Sequence, residues 1–89
     1  MDEGKIAKLK FRMLLYVRVR RRTKWQMSNN FRAPYCTREE RESCIQELVE
    51  AGMLDRYVEQ RAKQGNDPVI YEITREGLVF VQSNNRRYF

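Results

Sequence analysis

The chain has no histidine, only two cysteines and two prolines, four glycines and a single tryptophan in 89 residues. Lack of histidine removes the side chain that most often serves as general base near neutral pH and as metal ligand. Cys36 and Cys44 have no metal-type spacing, so no metal is expected and the two thiols read as unpaired and reduced. There is no glycine-rich phosphate loop and no nucleophile beside a recognisable base. The expectation is therefore a non-enzyme with no catalytic residues and no cofactor. No apolar run approaches the roughly 20 residues that span a bilayer. The start, Met1 to Lys5, lacks the basic-then-apolar order of a secretory signal, and a cytoplasmic protein with no membrane partner is expected.

What is present is charge, unevenly placed. The formal net charge is +6. Residues 1–35 hold ten Lys or Arg against two acids, a balance of +8, and residues 36–89 hold eight against ten, a balance of −2. Five cations lie within residues 18–24. A basic half joined to a near-neutral half suggests a surface that faces a polyanion, most simply nucleic acid phosphate. At this length the chain forms one small domain, 1–89, with a core at about 5–83 and a basic aromatic tail at 84–89.

The clearest local signals lie between residues 37 and 54. Thr37 followed by Glu40 fits a capping box, and Gly52 can take the left-handed conformation that closes a helix. Cys44, Ile45, Leu48 and Val49 form one apolar stripe at helical spacing. Upstream, residues 5–20 carry both a helical stripe (Ile6, Leu9, Met13, Val17) and an alternating pattern. Length and the Lys, Leu, Met and Arg content favour helix. Phe11, Leu15 and Val19 give that helix a second apolar face, a candidate homodimer surface together with Tyr88 and Phe89, although a helix sandwiched in its own core would carry the same face. Residues 23–35 read as a polar connector in which Trp25, Phe31 and Tyr35 dock on the core; a short helix could fit around residues 30–33, but no periodicity marks a regular second helix. Residues 54–61 and 69–74 read as strands joined by a turn-rich tip, and Thr74 caps a short final helix.

The order is helix, connector, helix, two-stranded β-hairpin, short C-terminal helix, an α+β arrangement. Two phrases resemble the winged-helix (winged helix-turn-helix) family, in particular small regulators of the MarR and PadR type. Residues 44–54, Cys-Ile-Gln-Glu-Leu-Val-Glu-Ala-Gly-Met-Leu, look like the end of the family's recognition helix and its turn into the wing. Residues 69–77, Val-Ile-Tyr-Glu-Ile-Thr-Arg-Glu-Gly, look like its second wing strand and the start of its last helix. The resemblance covers about 37–81 well, and 5–36 by position only.

What the resemblance implies is a small transcriptional regulator that binds duplex DNA. The 37–51 helix would enter the major groove, and the 61–68 wing tip would touch backbone or minor groove. Thr37, Arg38, Arg41, Glu42 and Gln46 would be exposed on the helix, with Arg38, Arg41 and Gln46 reading bases. Arg61, Lys63 and Gln64 would make the wing contacts. Lys8, Arg12, Arg18, Arg20, Arg21, Arg22, Lys24 and Arg32 would neutralise phosphates. Against this stand five glutamates and two arginines within 37–50, a net −3 on the element meant to approach DNA. That acidity suits an alternative: a winged-helix protein-interaction module of phage or plasmid type, binding and modulating a host transcription or replication protein. An RNA-binding role for the 18–24 cluster and Trp25 is a third, weaker reading.

Overall fold

The computed structural model describes residues 3–60 and 68–88, with side chains described through residue 85. The chain runs α1 (Glu3–Val19), β1 (Arg22–Thr23), α2 (Lys24–Asn30), α3 (Arg38–Glu50), β2 (Leu54–Val58), β3 (Val69–Ile73) and α4 (Arg75–Tyr88). The strands form one antiparallel sheet in the order β1-β3-β2. The wing thus has a third strand that the sequence pattern does not announce, because two residues are too few to show alternation.

Helix α1 is the centre of the core. Leu9, Phe11, Met13, Leu14 and Val17 are all buried. The helix is packed by α3, α4 and β3, which explains its second apolar face. Phe11 is 1% exposed and is a core residue, so the expectation that it lines a dimer surface is corrected; Leu15 packs partly buried against the same cluster, and Val19 remains exposed. Each fully buried side chain of this size contributes about 1.5–3 kcal/mol.

Helix α2 corrects the reading of 23–35 as a connector without a second helix. Thr23 Oγ1 accepts from the Gln26 backbone N–H at 3.1 Å, and Gln26 Oε1 accepts from the Thr23 N–H at 2.9 Å. This is a reciprocal capping box. Only Met27 is buried on the helix, so seven residues carry no apolar period to detect. Of the three aromatics expected to dock, Phe31 does so, with Tyr16 edge-on at 5.7 Å between ring centres. Trp25 and Tyr35 do not: they are 71% and 68% exposed.

Helix α3 begins and ends where the sequence marks it. Thr37 and Glu40 form the second capping box of the chain. At its end Met53 N–H donates to Leu48 O and Gly52 N–H to Val49 O, with Gly52 at φ 76°, the Schellman arrangement. The turn that follows is clamped by Thr74, whose hydroxyl donates to Gly52 O at 2.6 Å and accepts from Gly77 N–H at 3.0 Å. One side chain therefore closes α3 and opens α4. Helix α4 runs on to Tyr88, so the tail expected from residue 84 is helical through that point. Val81 anchors it in the core, and Asn84 Nδ2 donates to Phe80 O at 2.8 Å.

Candidate nucleic-acid interface

Helices α2 and α3, joined by residues 31–37, form a helix-turn-helix, and the β2–β3 hairpin follows as the wing. The outer side of α3 carries Arg38, Glu39, Glu42 and Gln46, at the three- and four-residue steps that share a helix face. Arg38 is exposed in the first turn. Gln46 is exposed and already engaged: its amide donates to Glu50 at 3.0 Å, and its carbonyl accepts from Arg56 Nη1 at 3.2 Å.

Arg41 is elsewhere. It is 9% exposed, and its Nη1 donates to Phe31 O at 3.1 Å. Its Nη2 lies 3.7 Å from Glu42. The expectation that Arg41 projects outward to read a base is corrected: its guanidinium ties α3 to the end of α2. The reason is periodicity, since Arg41 falls on the same face as Cys44, Ile45 and Leu48.

The acids of α3 are distributed in a way that the count of five does not reveal. Glu40 and Glu47 face α1, where they pair with Lys5 at 3.6 Å and with Lys10 respectively. The backbone bond from Thr37, followed by Lys5, holds the Glu40 carboxyl below its ordinary range. Two of the five glutamates thus offset α1 lysines rather than oppose an approaching phosphate. Glu39, Glu42 and Glu50 remain towards the outer side.

Among the N-terminal cations, Arg18, Arg20, Lys24 and Arg32 are exposed, as are Lys8 and Arg12. Arg21 and Arg22 are committed to the fold. Arg21 donates to the Tyr57 hydroxyl at 3.3 Å and pairs with Glu59 at 2.9 Å, while Tyr57 in turn donates to Glu72 at 2.9 Å. Arg22 stacks over the Tyr16 ring at 3.7 Å and donates to Tyr16 O at 3.0 Å. Arg61, Lys63 and Gln64 of the wing tip lie outside the described residues.

Arg56 escapes sequence reasoning although it stands beside the face in question. It shares strand parity with Leu54 and Val58, which places it on the helix side of the sheet, opposite Tyr71. From there it reaches Gln46 and the Tyr71 hydroxyl. Burial pushes the Tyr71 hydroxyl above its ordinary range, with Arg56 opposing. The alternation of the strand was the available signal. Both thiols are buried, Cys36 at 4% and Cys44 at 1% exposure, and desolvation raises both above the ordinary thiol range.

With this geometry described, comparison with known proteins identifies the fold. The chain superposes on Bacillus subtilis PadR, solved in complex with operator DNA, with a TM-score of 0.68 and 12% identity over 84% of this chain and 45% of that one. It also superposes on the circadian clock associated protein Pex from Anabaena, with a TM-score of 0.69 and 12% identity over 96% of this chain and 76% of that one. The fold is a winged helix of the PadR-like kind. The chain spans less than half the length of the PadR chain it matches. No protein-family model matches the sequence, and no curated protein matches it.

Proposed function

We propose that the chain is a small DNA-binding transcriptional regulator, cytoplasmic and not an enzyme. In this reading α3 is presented to the major groove, and Arg38 and Gln46 contact base edges. Arg56 holds Gln46 from the flank, and Arg18, Arg20, Lys24 and Arg32 supply phosphate contacts, with Arg61, Lys63 and Gln64 at the wing tip. The observation that carries the reading is Arg38 standing exposed beside Gln46 on the outer face of α3, in a fold whose PadR counterpart was solved with operator DNA. Arg41, Arg21 and Arg22 are left out of the contact set because their guanidinium groups serve the fold.

The test is a titration of fluorescent duplex at two salt concentrations, with single-stranded DNA and RNA of the same length alongside. Duplex binding should weaken by about 100-fold between roughly 50 and 200 mM salt for about four phosphate contacts. Arg38→Ala should weaken specific binding by about 5- to 100-fold, the discrimination of one good base contact. Salt-insensitive or undetectable duplex binding would contradict the reading.

A second reading, a module that binds a transcription or replication protein, is favoured by one observation: Trp25 is 71% exposed on α2. A stoichiometric partner captured after nuclease treatment, and lost on Trp25→Ala, would support it. Homodimerisation is part of the first reading, because two-fold DNA sites ask for two-fold proteins. Among the described residues, exposed apolar side chains that could serve pairing include Val19 at the end of α1 and Leu78 and Val79 on α4, while the side chains of Tyr88 and Phe89, also expected there, lie outside the described residues.

A further inference from the structure

Helix α1 treats its cations in two ways. Lys5 and Lys10 are paired with acids of α3. Lys8 and Arg12, one helical turn apart on the same face, have no hydrogen-bond or ion-pair partner among the described residues. Both line a cleft of about 760 Å³ between α1 and the end of α2, with Lys5 at one side. Leu9 and Phe31, both buried, form its apolar floor, and Tyr35, 68% exposed, stands in its wall.

Each feature restricts the occupant. Two cations without a partner among the described residues, with a third held only by a 3.6 Å pair to Glu40, suit a dianion better than a single carboxylate. A phosphate monoester carries about −1.5 to −2 charges at neutral pH and offers three acceptor oxygens. Lys and Arg are the usual phosphate ligands. An exposed tyrosine above an apolar floor offers a stacking surface for a flat ring. The volume lies in the range of about 300–1,000 Å³ typical of small-molecule sites.

We propose that this cleft binds a ring-bearing phosphate monoester of nucleotide size, and that Lys5 reports its occupancy to the start of α3. Lys8 and Arg12 take the phosphate, and the ring lies against Tyr35. Glu40 is both the partner of Lys5 and the third residue of the α3 capping box with Thr37. A phosphate that draws Lys5 towards itself therefore loosens Glu40 from α1 and leaves it to Thr37 alone. Only the description of this coupling as regulatory rests on the DNA-binding reading.

The experiment titrates AMP into the full ¹⁵N-labelled chain in the absence of DNA, with adenosine and inorganic phosphate as separate arms. Expected are saturable amide shifts at Lys8, Arg12, Phe31 and Tyr35 with a Kd below about 1 mM. Accompanying shifts are expected at Thr37 and Glu40, and adenosine and phosphate should each bind at least about tenfold more weakly, the loss of roughly one contact. Lys8→Gln with Arg12→Gln should lower AMP affinity by a similar factor. Tyr35→Ala should bring AMP down to the affinity of phosphate, and Lys5→Gln should abolish the shifts at Thr37 and Glu40 while AMP still binds. All four positions are at least half exposed or on the surface of α1, so the native spectrum should persist. Equal affinity for AMP and phosphate, or a double variant that binds AMP like the unaltered chain, would overturn the site. Binding without any response at Thr37 and Glu40 would overturn the coupling. Phosphates of a nucleic acid strand as the true occupant would show as silence in all three small-molecule arms together with loss of duplex affinity in the double variant, which also overturns the site. Since no DNA enters the three small-molecule arms, failure of the DNA-binding reading leaves their result standing, and the reverse holds as well.

Discussion

Arg38 and Arg41 lie three residues apart in the same helix, yet the fold assigns them opposite tasks. Arg41 is buried with its guanidinium on the Phe31 carbonyl, and Arg38 projects into solvent. Arg41→Met should therefore destabilise the domain by about 1–3 kcal/mol, because a buried acceptor loses its donor. Arg38→Ala should leave stability within about 0.5 kcal/mol. Urea unfolding of the two variants separates the roles, and equal losses would contradict the assignment. Residue type alone could not make this distinction: both arginines lie in the first turns of a marked helix, and the face of Arg41 emerges only when its register with Cys44 and Leu48 is followed strictly. The same strictness applied to strand parity would have found Arg56. By contrast Trp25 and Tyr35 left no trace of their exposure in the sequence, since an aromatic in a polar segment reads equally as a plug or as a surface group.

At the scale of the element, both ends of α3 were written plainly, whereas the end of α4 and the existence of α2 were not. Thr37–Glu40 and Thr23–Gln26 are the same capping signature, but only the first precedes an apolar stripe, so only the first announces a helix. Helix α2 exists because its cap and Met27 suffice once β1 and β3 pack against it, and tertiary context of this kind is not legible locally. The cap of α3 has a pH consequence. The folded Glu40 carboxyl is held below its ordinary range, chiefly by the Thr37 backbone N–H. A carboxyl with a depressed folded pKa contributes stability that is present above its unfolded pKa and lost as pH falls through the folded one. Stability should thus decline as pH falls below the ordinary glutamate range, and Glu40→Gln should flatten that part of the profile; an unchanged acid limb in the variant would refute the role of the cap. The α3–α4 junction makes a second demand. A Cβ built on Gly77 would lie 2.7 Å from Ile73 Cγ1 and closer still to the Met53 carbonyl. Gly77→Ala should cost about 1–3 kcal/mol through overpacking against backbone, measured by thermal or urea unfolding. A variant as stable as the original would mean that the junction yields freely.

For the whole molecule, the winged-helix order was readable because each part left its own mark: a capped helix, a Schellman glycine, two β-rich runs and a Thr-x-Glu-Gly start. Charge was readable in amount but not in use. The +8 of residues 1–35 divides among ion pairs to α3, bonds to the sheet and the Tyr16 ring, and the cations that stay exposed. The −3 of residues 37–50 divides in the same way, with Glu40 and Glu47 turned to α1. What remains outward is Arg38 against Glu39, Glu42 and Glu50, a net −2, which opposes a phosphate backbone only slightly less than the −3 of the whole segment, so the attraction has to come from the exposed cations of residues 1–35. The proposed two-fold pairing is tested at this scale too. Sedimentation at high concentration should give about twice the 10.8 kDa chain mass. Pairing should weaken on Leu78→Ser with Val79→Ser, and a monomer at all concentrations would remove the dimer from the account.

The central claim is that α3 reads duplex DNA while the exposed N-terminal cations hold the backbone. The measurement that tests it most directly is duplex affinity as a function of salt for the unaltered chain, Arg38→Ala, and Lys24→Gln with Arg32→Gln. A steep salt dependence is expected in the unaltered chain. Arg38→Ala should lose sequence preference with the salt slope kept, and the double variant should show a slope reduced by about two with preference kept. Duplex binding that is absent, insensitive to salt, or indifferent to all three substitutions would contradict it.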